Sequence, residues 1–286
     1  MNGIVIVDKP AGWTSQDVTA KLRRVFQTRR IGHGGTLDPM ATGVLPVFVG
    51  RATRGVEFFE HADKVYEAEL RLGITTDTED ITGTVLQTKP VSVTEQALLD
   101  ILPQFRGEIY QTPPMYSALK VDGKKLYDLA RKGVEVHREP RKITIFSLEL
   151  LCFSGDTAKL RVHCSKGTYI RTLCKDIGEA LGCGGCMAAL RRTAAGDYTE
   201  QDAISLDQLL DAPDPEKYLQ KVDSLFACHP AVTLTANQEK RCRNGNAFSV
   251  TLEDGTYRTY SQDGEFLMLA KVESGVMSTI KSFFEV

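Results

Sequence analysis

The sequence predicts an α+β fold on three observations. Runs of strand length, apolar or alternating, recur along the chain at Ile4–Val7, Val44–Val49, Lys64–Leu72, Ile143–Cys152 and Ala158–Cys164. Apolar residues at helical spacing are confined to a few segments between them. From about Pro213 the composition turns acidic and Asp-Pro-rich, and short alternating segments follow, which predicts a small β-rich unit at the C-terminal end.

Taken in order, Ile4–Val7 is a short strand, and Asp8-Lys-Pro-Ala-Gly12 is a turn signal. Thr14 or Ser15 caps a helix carrying Val18, Leu22 and Val25 on its apolar face. Gly55 to His61 reads as a connecting helix. Lys64–Leu72 alternates as a strand exposed on one face. Residues 73–84 form an acidic turn; Asp77, Glu79 and Asp80 lack the full ligand spacing of a calcium loop and read as structural. Thr94 caps a helix through Leu98, Leu99, Ile101 and Leu102, stopped by Pro103. Gln111–Lys120 is loop. Ile143–Cys152 and Ala158–Cys164 pair across Ser154-Gly-Asp156. Gly167 and Thr168 then open a helix with Ile170, Leu173, Ile177 and Leu181 on its apolar stripe. Beyond Pro213, strands near Ala231–Leu234, Phe248–Leu252, Tyr257–Tyr260 and Phe266–Val272 are separated by turns such as Arg243-Asn-Gly245 and Asp254-Gly255.

The chain has 286 residues, enough for one large domain and a small second one. It shows no secretory signal and no apolar run of bilayer length, so a soluble, cytoplasmic protein is expected. Its seven cysteines are an odd, scattered set and read as reduced thiols. Cys183-Gly-Gly-Cys186 has metal-like spacing, but no second pair completes a four-ligand site, so no metal is expected. Net charge is −2, yet its distribution is uneven. Residues 106–142 carry nine Lys/Arg against five Asp/Glu, residues 159–192 seven against two, and residues 193–286 eight against fifteen. A polyanion binder needs only one basic face, and the first two segments supply it.

The chemistry centres on residues 30–44, Arg-Ile-Gly-His-Gly-Gly-Thr-Leu-Asp-Pro-Met-Ala-Thr-Gly-Val. Its glycines give a permissive backbone around one imidazole, His33, and one carboxylate, Asp38. Pro39 biases Asp38 toward extended backbone, which presents the acid from a loop backed by the apolar strand that follows. Read alone, such a stretch is more often an ordinary connection than a site.

Gly-His-Gly-Gly-Thr-Leu-Asp-Pro-Met-Ala-Thr-Gly resembles the catalytic motif of the TruB family of tRNA pseudouridine synthases, whose essential aspartate falls on Asp38. The family form has another small residue where Gly35 or Thr36 stands. Asp-Lys-Pro-x-Gly-Trp-Thr-Ser matches the family's opening motif, which places Lys9 in support of the site loop. Lys-x-Tyr-x-Ala matches its second motif, whose tyrosine stacks on the target base, here Tyr66. Gly-Thr-Tyr-Ile-Arg-Thr-Leu matches a third, putting Tyr169 and Arg171 around the aspartate. Leu190-Arg-Arg-Thr193 matches a fourth, whose leucine lines the other side of the base pocket. Pro-Pro-x-Tyr-Ser-Ala-x-Lys and Gly-x-x-x-Tyr-x-x-Ala-Arg-x-Gly resemble the family's RNA-gripping thumb, about residues 115–142, with Lys120, Lys124, Lys125, Tyr127, Arg131, Lys132 and Arg141 as its candidate RNA contacts. Basic side chains interleaved with aromatics suit a phosphate backbone and unstacked bases.

The resemblance implies the pseudouridine synthase fold, a mixed, largely antiparallel central sheet flanked by helices, as a catalytic unit over residues 1–230. It also implies a PUA-like RNA-binding domain over residues 231–286. The implied reaction converts uridine-55 in the TΨC arm of tRNA to pseudouridine. The uracil N1–C1′ bond breaks, the base turns in place and C5 joins C1′; no atom is gained or lost, so no cofactor is expected. Extruding the base costs a few kcal/mol. His33 is expected to hold the rearranged RNA loop, and Tyr66 with Leu190 to sandwich the flipped ring. Asp38 is expected to act as the nucleophile or as the group stabilising cation character at C1′, much as a carboxylate does in a retaining glycosidase; attack at C6, attack at C1′ and a glycal route all stay open, and Arg171 pairs with Asp38, lowering its pKa. Tyr66, or Asp38 through water, is the candidate to take the C5 proton. The expected partner is tRNA alone, with a monomeric protein, no membrane and no obligate protein partner. A guide-RNA-dependent pseudouridylase and a noncatalytic tRNA-folding chaperone are the rivals.

Overall fold

The computed structural model describes residues 1–117, 119–121 and 123–285, with the side chains of Lys120, Val121, Lys124 and Lys125 outside the described set. The first half of the chain runs β1 (Gly3–Lys9), α1 (Ser15–Val25), β2 (Ile31–His33), β3 (Thr42–Val49), α2 (Val56–Phe59), β4 (Lys64–Leu72), β5 (Ile74–Thr76), β6 (Val85–Thr88), α3 (Glu95–Ile101) and β7 (Gly107–Gln111). A small hairpin, β8 (Lys120–Val121) and β9 (Lys124–Lys125), leads into α4 (Leu126–Ala130). Then come β10 (Arg141–Phe153), β11 (Thr157–Cys164), α5 (Ile170–Ala180), β12 (Gly185–Ala195), β13 (Tyr198–Thr199), β14 (Ile204–Ser205) and α6 (Leu206–Leu210). The last segment holds β15 (Ala231–Thr233), α7 (Ala236–Arg243), β16 (Phe248–Ser249), β17 (Gly255–Tyr260), β18 (Phe266–Glu273) and β19 (Val276–Ser282). Among the described residues no helix is long and apolar enough to cross a membrane.

A ten-stranded sheet in the order β14-β1-β3-β12-β4-β11-β10-β7 is the body of the fold, with β2 on β3 and β13 on β12. Among the described residues of this sheet only β1/β14 and β3/β12 run parallel, so the sheet is mixed and largely antiparallel, as expected. The apolar runs of β1 and β3 have a simple cause: both faces are covered. Val5, Val7, Leu45, Val47 and Val49 point into one core with Val18 and Leu22 of α1, while Ile4, Ile6, Val44 and Phe48 point into another. β4 alternates because only one face is buried; Tyr66, Ala68, Leu70 and Leu72 face the first core and Glu69 faces solvent.

α1 is set by Thr14, whose side chain accepts from Asp17 N while Asp17 returns the bond to the Thr14 backbone, a reciprocal cap contributing about 1 kcal/mol. A second, five-stranded sheet, β15-β17-β18-β19-β16, forms the predicted β-rich end. Two of its elements have no counterpart in the sequence reading: β19, and helix α7 capped by Thr235. This sheet packs on the back of the first, where Leu269 and Phe283 join Ile4, Ile6 and Phe48.

Candidate active site

Asp38 lies in the turn between β2 and β3, and the β1–α1 corner holds that turn. Gly12 N–H donates to the Pro39 carbonyl at 2.8 Å, and Leu37 N–H donates to Ser15 Oγ at 2.9 Å. Lys9 is fully buried, and its Nζ donates to the carbonyls of Pro10 at 2.9 Å, Trp13 at 2.7 Å and Pro39 at 3.3 Å. Lys9, Gly12 and Ser15 of the opening motif therefore act together as a bracket for the acid loop. Burial draws the Lys9 ammonium down to a pKa of about 8, with Asp38 opposing and Arg192 reinforcing the shift.

From the other side, β12 closes the loop. Arg192 is a nearly fully buried guanidinium that donates from Nε to the Val44 carbonyl at 2.7 Å and from Nη2 to the Gly35 carbonyl at 3.1 Å. Its own backbone pairs with Gly43, where φ is +101° and a Cβ would overlap the Arg192 carbonyl, so only glycine fits. Register irregularities in β12 on either side of Leu190–Arg192 re-aim these side chains, a common use of a bulge beside a site.

Arg171, in the first turn of α5, delivers the decisive contact. Its Nε lies 2.9 Å from Asp38 Oδ2 and its Nη2 3.2 Å from Oδ1, a two-pronged grip. The guanidinium is itself fixed by the carbonyls of Thr78 at 3.3 Å and Tyr116 at 2.9 Å. Asp80 Oδ2 stands 3.9 Å from its Nη1. Asp80 is buried and oriented by Thr78 Oγ1 at 2.9 Å, Thr82 N at 3.0 Å and Thr82 Oγ1 at 2.5 Å, all onto Oδ1. The acidic turn is thus a wall of the site as well as a turn.

The sequence reading has Arg171 lowering the Asp38 pKa. The structure corrects the net direction: burial raises it above the usual carboxylate range, outweighing the pull of Arg171, and the Asp80 charge adds to the rise. Asp38 nonetheless stays reachable, its side chain 33 % exposed.

Tyr66 and Leu190 occupy neighbouring positions on the same face of β4 and β12, opposite Arg192 and Ala68 respectively, and both are nearly buried. Burial pushes the Tyr66 phenol above its ordinary value, with the charge of Asp38 adding to the shift and Arg192 opposing it. Tyr169 caps α5, and Gln111 grips its backbone twice, from Nε2 to the carbonyl at 3.0 Å and from the amide to Oε1 at 2.8 Å. His33 closes β2 beside Arg192 and Gly35; burial, then Arg192, lowers its pKa and favours the neutral ring. Its Nε2 lies 3.4 Å from Gln16 Nε2.

The thumb candidates spread outward. Arg131 stacks over the Tyr127 ring at 5.4 Å, Lys132 is exposed, and Arg141 begins β10 within electrostatic reach of Tyr169. The side chains of Lys120, Lys124 and Lys125 fall outside the described residues. Cys183 and Cys186 are buried, and the Cys183 thiol donates to the Gly184 carbonyl at 3.3 Å. The sequence does not mark Gln111, Thr78 or Arg192 as site residues, and it marks Asp80 only as a structural turn acid. The Arg-Arg pair in Leu190–Thr193 offers a signal for Arg192, because two consecutive strand residues point to opposite faces and a strand covered on one side must turn one of the two arginines inward.

The family model described as TruB family pseudouridylate synthase (N terminal domain) matches residues 23–170, and that of the tRNA pseudouridylate synthase B C-terminal domain matches residues 171–224. A tRNA pseudouridine synthase B from Azoarcus sp. (strain BH72) is 46% identical over 278 residues, covering 96% of this chain and 92% of that one. One from Clostridium kluyveri is 42% identical, covering 99% of this chain and all of the other. A chain in the structure of an H/ACA ribonucleoprotein bound to a substrate RNA containing 2′-deoxyuridine matches with a TM-score of 0.73 and 25% identity, over 99% of this chain and 85% of that one. The chain belongs to the TruB family.

Proposed function

We propose that this protein isomerises uridine-55 in the TΨC arm of tRNA to pseudouridine, with Asp38 as the catalytic residue. The observation that carries the reading is the two-pronged Arg171–Asp38 contact at the mouth of the central sheet. As the uracil N1–C1′ bond breaks, the Asp38 carboxylate supplies the negative charge that C1′ requires. The freed ring turns between Tyr66 and Leu190 and joins through C5, and the C5 proton leaves while N1 gains one. The raised pKa of Asp38 makes it the better acceptor for that proton, because burial keeps the Tyr66 phenol protonated. Lys9 and Tyr169 hold the loop and the helix start, and His33 supports the rearranged RNA.

On the same reading, residues 1–230 form the catalytic unit and about 115–142 its thumb, with Tyr127, Arg131, Lys132 and Arg141 on the RNA backbone. Residues 231–286 form a PUA-like RNA-binding domain, a role supported by the compact five-stranded sheet. The protein works as a monomer on free tRNA in the cytoplasm, without guide or protein partner. Much closer similarity to tRNA pseudouridine synthase B proteins than to the ribonucleoprotein chain supports independence from a guide. The test is to incubate purified protein alone with an unmodified tRNA transcript and map pseudouridine. Formation at uridine-55 supports the reading, and no pseudouridine without added guide or partner overturns it.

A further inference from the structure

Two buried cations, Lys64 and Arg192, stand beside the exposed Gly35 turn, and Lys166 lies within electrostatic reach of Lys64. Among the described residues, Lys64, Lys166 and Arg192 have no carboxylate oxygen within 4.0 Å. The nearby acids are engaged elsewhere: Asp38 by Arg171, and Asp63 by His163. Lys64 is buried, sits 5.8 Å from the centre of the Phe59 ring, and donates to the Ala62 carbonyl. Lys166 is exposed, with Nζ 3.3 Å from His61 Nε2. Burial lowers the Lys64 pKa, Arg192 and Lys166 add to that shift, and Cys164 and Asp63, the latter shared with His163, oppose it.

Gly35 shapes the space above them. Its φ is +101°, and a Cβ there would lie 3.5 Å from Arg192 Nη1 and 3.8 Å from Lys64 Cε. A side chain would fill this notch; glycine leaves it open over two buried cations. Buried positive charge without a counter-ion is costly, and an anion entering the notch would relieve it. The notch also lies three residues from Asp38 along the same turn.

We propose that this notch seats one of the two phosphodiesters flanking the everted nucleotide, with Lys64 and Lys166 as its charge partners and the missing Gly35 side chain as its opening. The proposal deepens the tRNA reading and rests on it. A phosphodiester brings a single negative charge with two unshared oxygens, enough to engage two ammonium groups on opposite sides.

The test compares wild type, Lys166→Ala and Lys64→Met, each checked for an unchanged circular dichroism spectrum, in tRNA binding across a salt series. Lys166→Ala is exposed and keeps the proposal falsifiable should Lys64→Met fail to fold. Lys166→Ala is expected to weaken binding about 3- to 10-fold and to flatten the slope of log affinity against log salt by about 1. tRNAs carrying a neutral methylphosphonate at either flanking phosphate then locate the contact. At one of them the wild type should lose affinity while Lys166→Ala loses no more. Competition by inorganic phosphate separates a free-anion site from a strand-borne one. Unchanged affinity and slope in Lys166→Ala, or losses that add fully at both phosphates, overturn the proposal. So does displacement of phosphate from the notch with neither methylphosphonate having any effect. Wild type forming no pseudouridine in the same tubes would be a failure of the functional reading instead.

Discussion

Arg171 grips Asp38 through two separate nitrogens, Nε at 2.9 Å and Nη2 at 3.2 Å, so the carboxylate has one orientation. A lysine would keep the charge and lose the fork. Arg171→Lys is expected to slow single-turnover pseudouridine formation on the order of 100-fold, with tRNA affinity within about threefold of wild type. Rapid-quench kinetics with excess enzyme measures this, and an unchanged rate would show that Asp38 needs no such orientation.

The opposing influences on Asp38 make a stability prediction. Its native pKa is raised, so the native state favours the neutral acid, and that advantage is lost as pH rises through the native pKa. Asp38→Asn is expected to melt at a higher temperature than wild type at pH 7.5, with the gap closing as the solution is acidified through the carboxylate range. A lower melting temperature at pH 7.5 would mean that Arg171 outweighs burial.

Lys9 gives the complementary case. Its native pKa of about 8 lies below the ordinary 10.5, so between those values the unfolded chain holds more protons and stability rises with pH. The stability of wild type relative to Lys9→Met is therefore expected to grow from pH 8 to pH 10 in chemical denaturation series. A flat difference would contradict the assigned burial.

Gly43 faces the Arg192 backbone with φ of +101°, and an added Cβ would overlap the Arg192 carbonyl. Gly43→Ala is expected to cost about 3 kcal/mol or more, lowering Tm by roughly 6–12 °C. Gly155→Ala is the control: it shares a positive φ, +75°, but has nothing within 4 Å of the new Cβ. It should cost only about 1–2 kcal/mol of backbone strain. Equal effects would mean that the β3–β12 junction tolerates the side chain.

Local pattern carried much of this fold into view. The alternation of Lys64–Leu72, the Thr14 cap and the paired strands after Ile143 depend on near neighbours, and the structure places them where the pattern does. The glycine frame and Pro39 draw attention to Asp38, whereas Lys9, Tyr66, Tyr169, Arg171 and Leu190 come from resemblance, which spacing alone does not supply. What escaped depends on distant partners. Asp80 reads as an ordinary turn acid until α5 brings Arg171 beside it. Which of Arg191 and Arg192 turns inward is not legible until the parallel β3–β12 pairing buries Arg192 against the Val44 and Gly35 carbonyls. The attraction of Arg171 for Asp38 was legible, but the burial that outweighs it was not, because burial belongs to the assembled site.

The central claim, that the Asp38 carboxylate does chemistry on a bound nucleotide, is tested most directly by Asp38→Asn in paired assays of tRNA affinity and single-turnover pseudouridine formation. Affinity should remain within about threefold of wild type while the rate falls by at least about 10³-fold. Turnover persisting above that level with tRNA bound would contradict it.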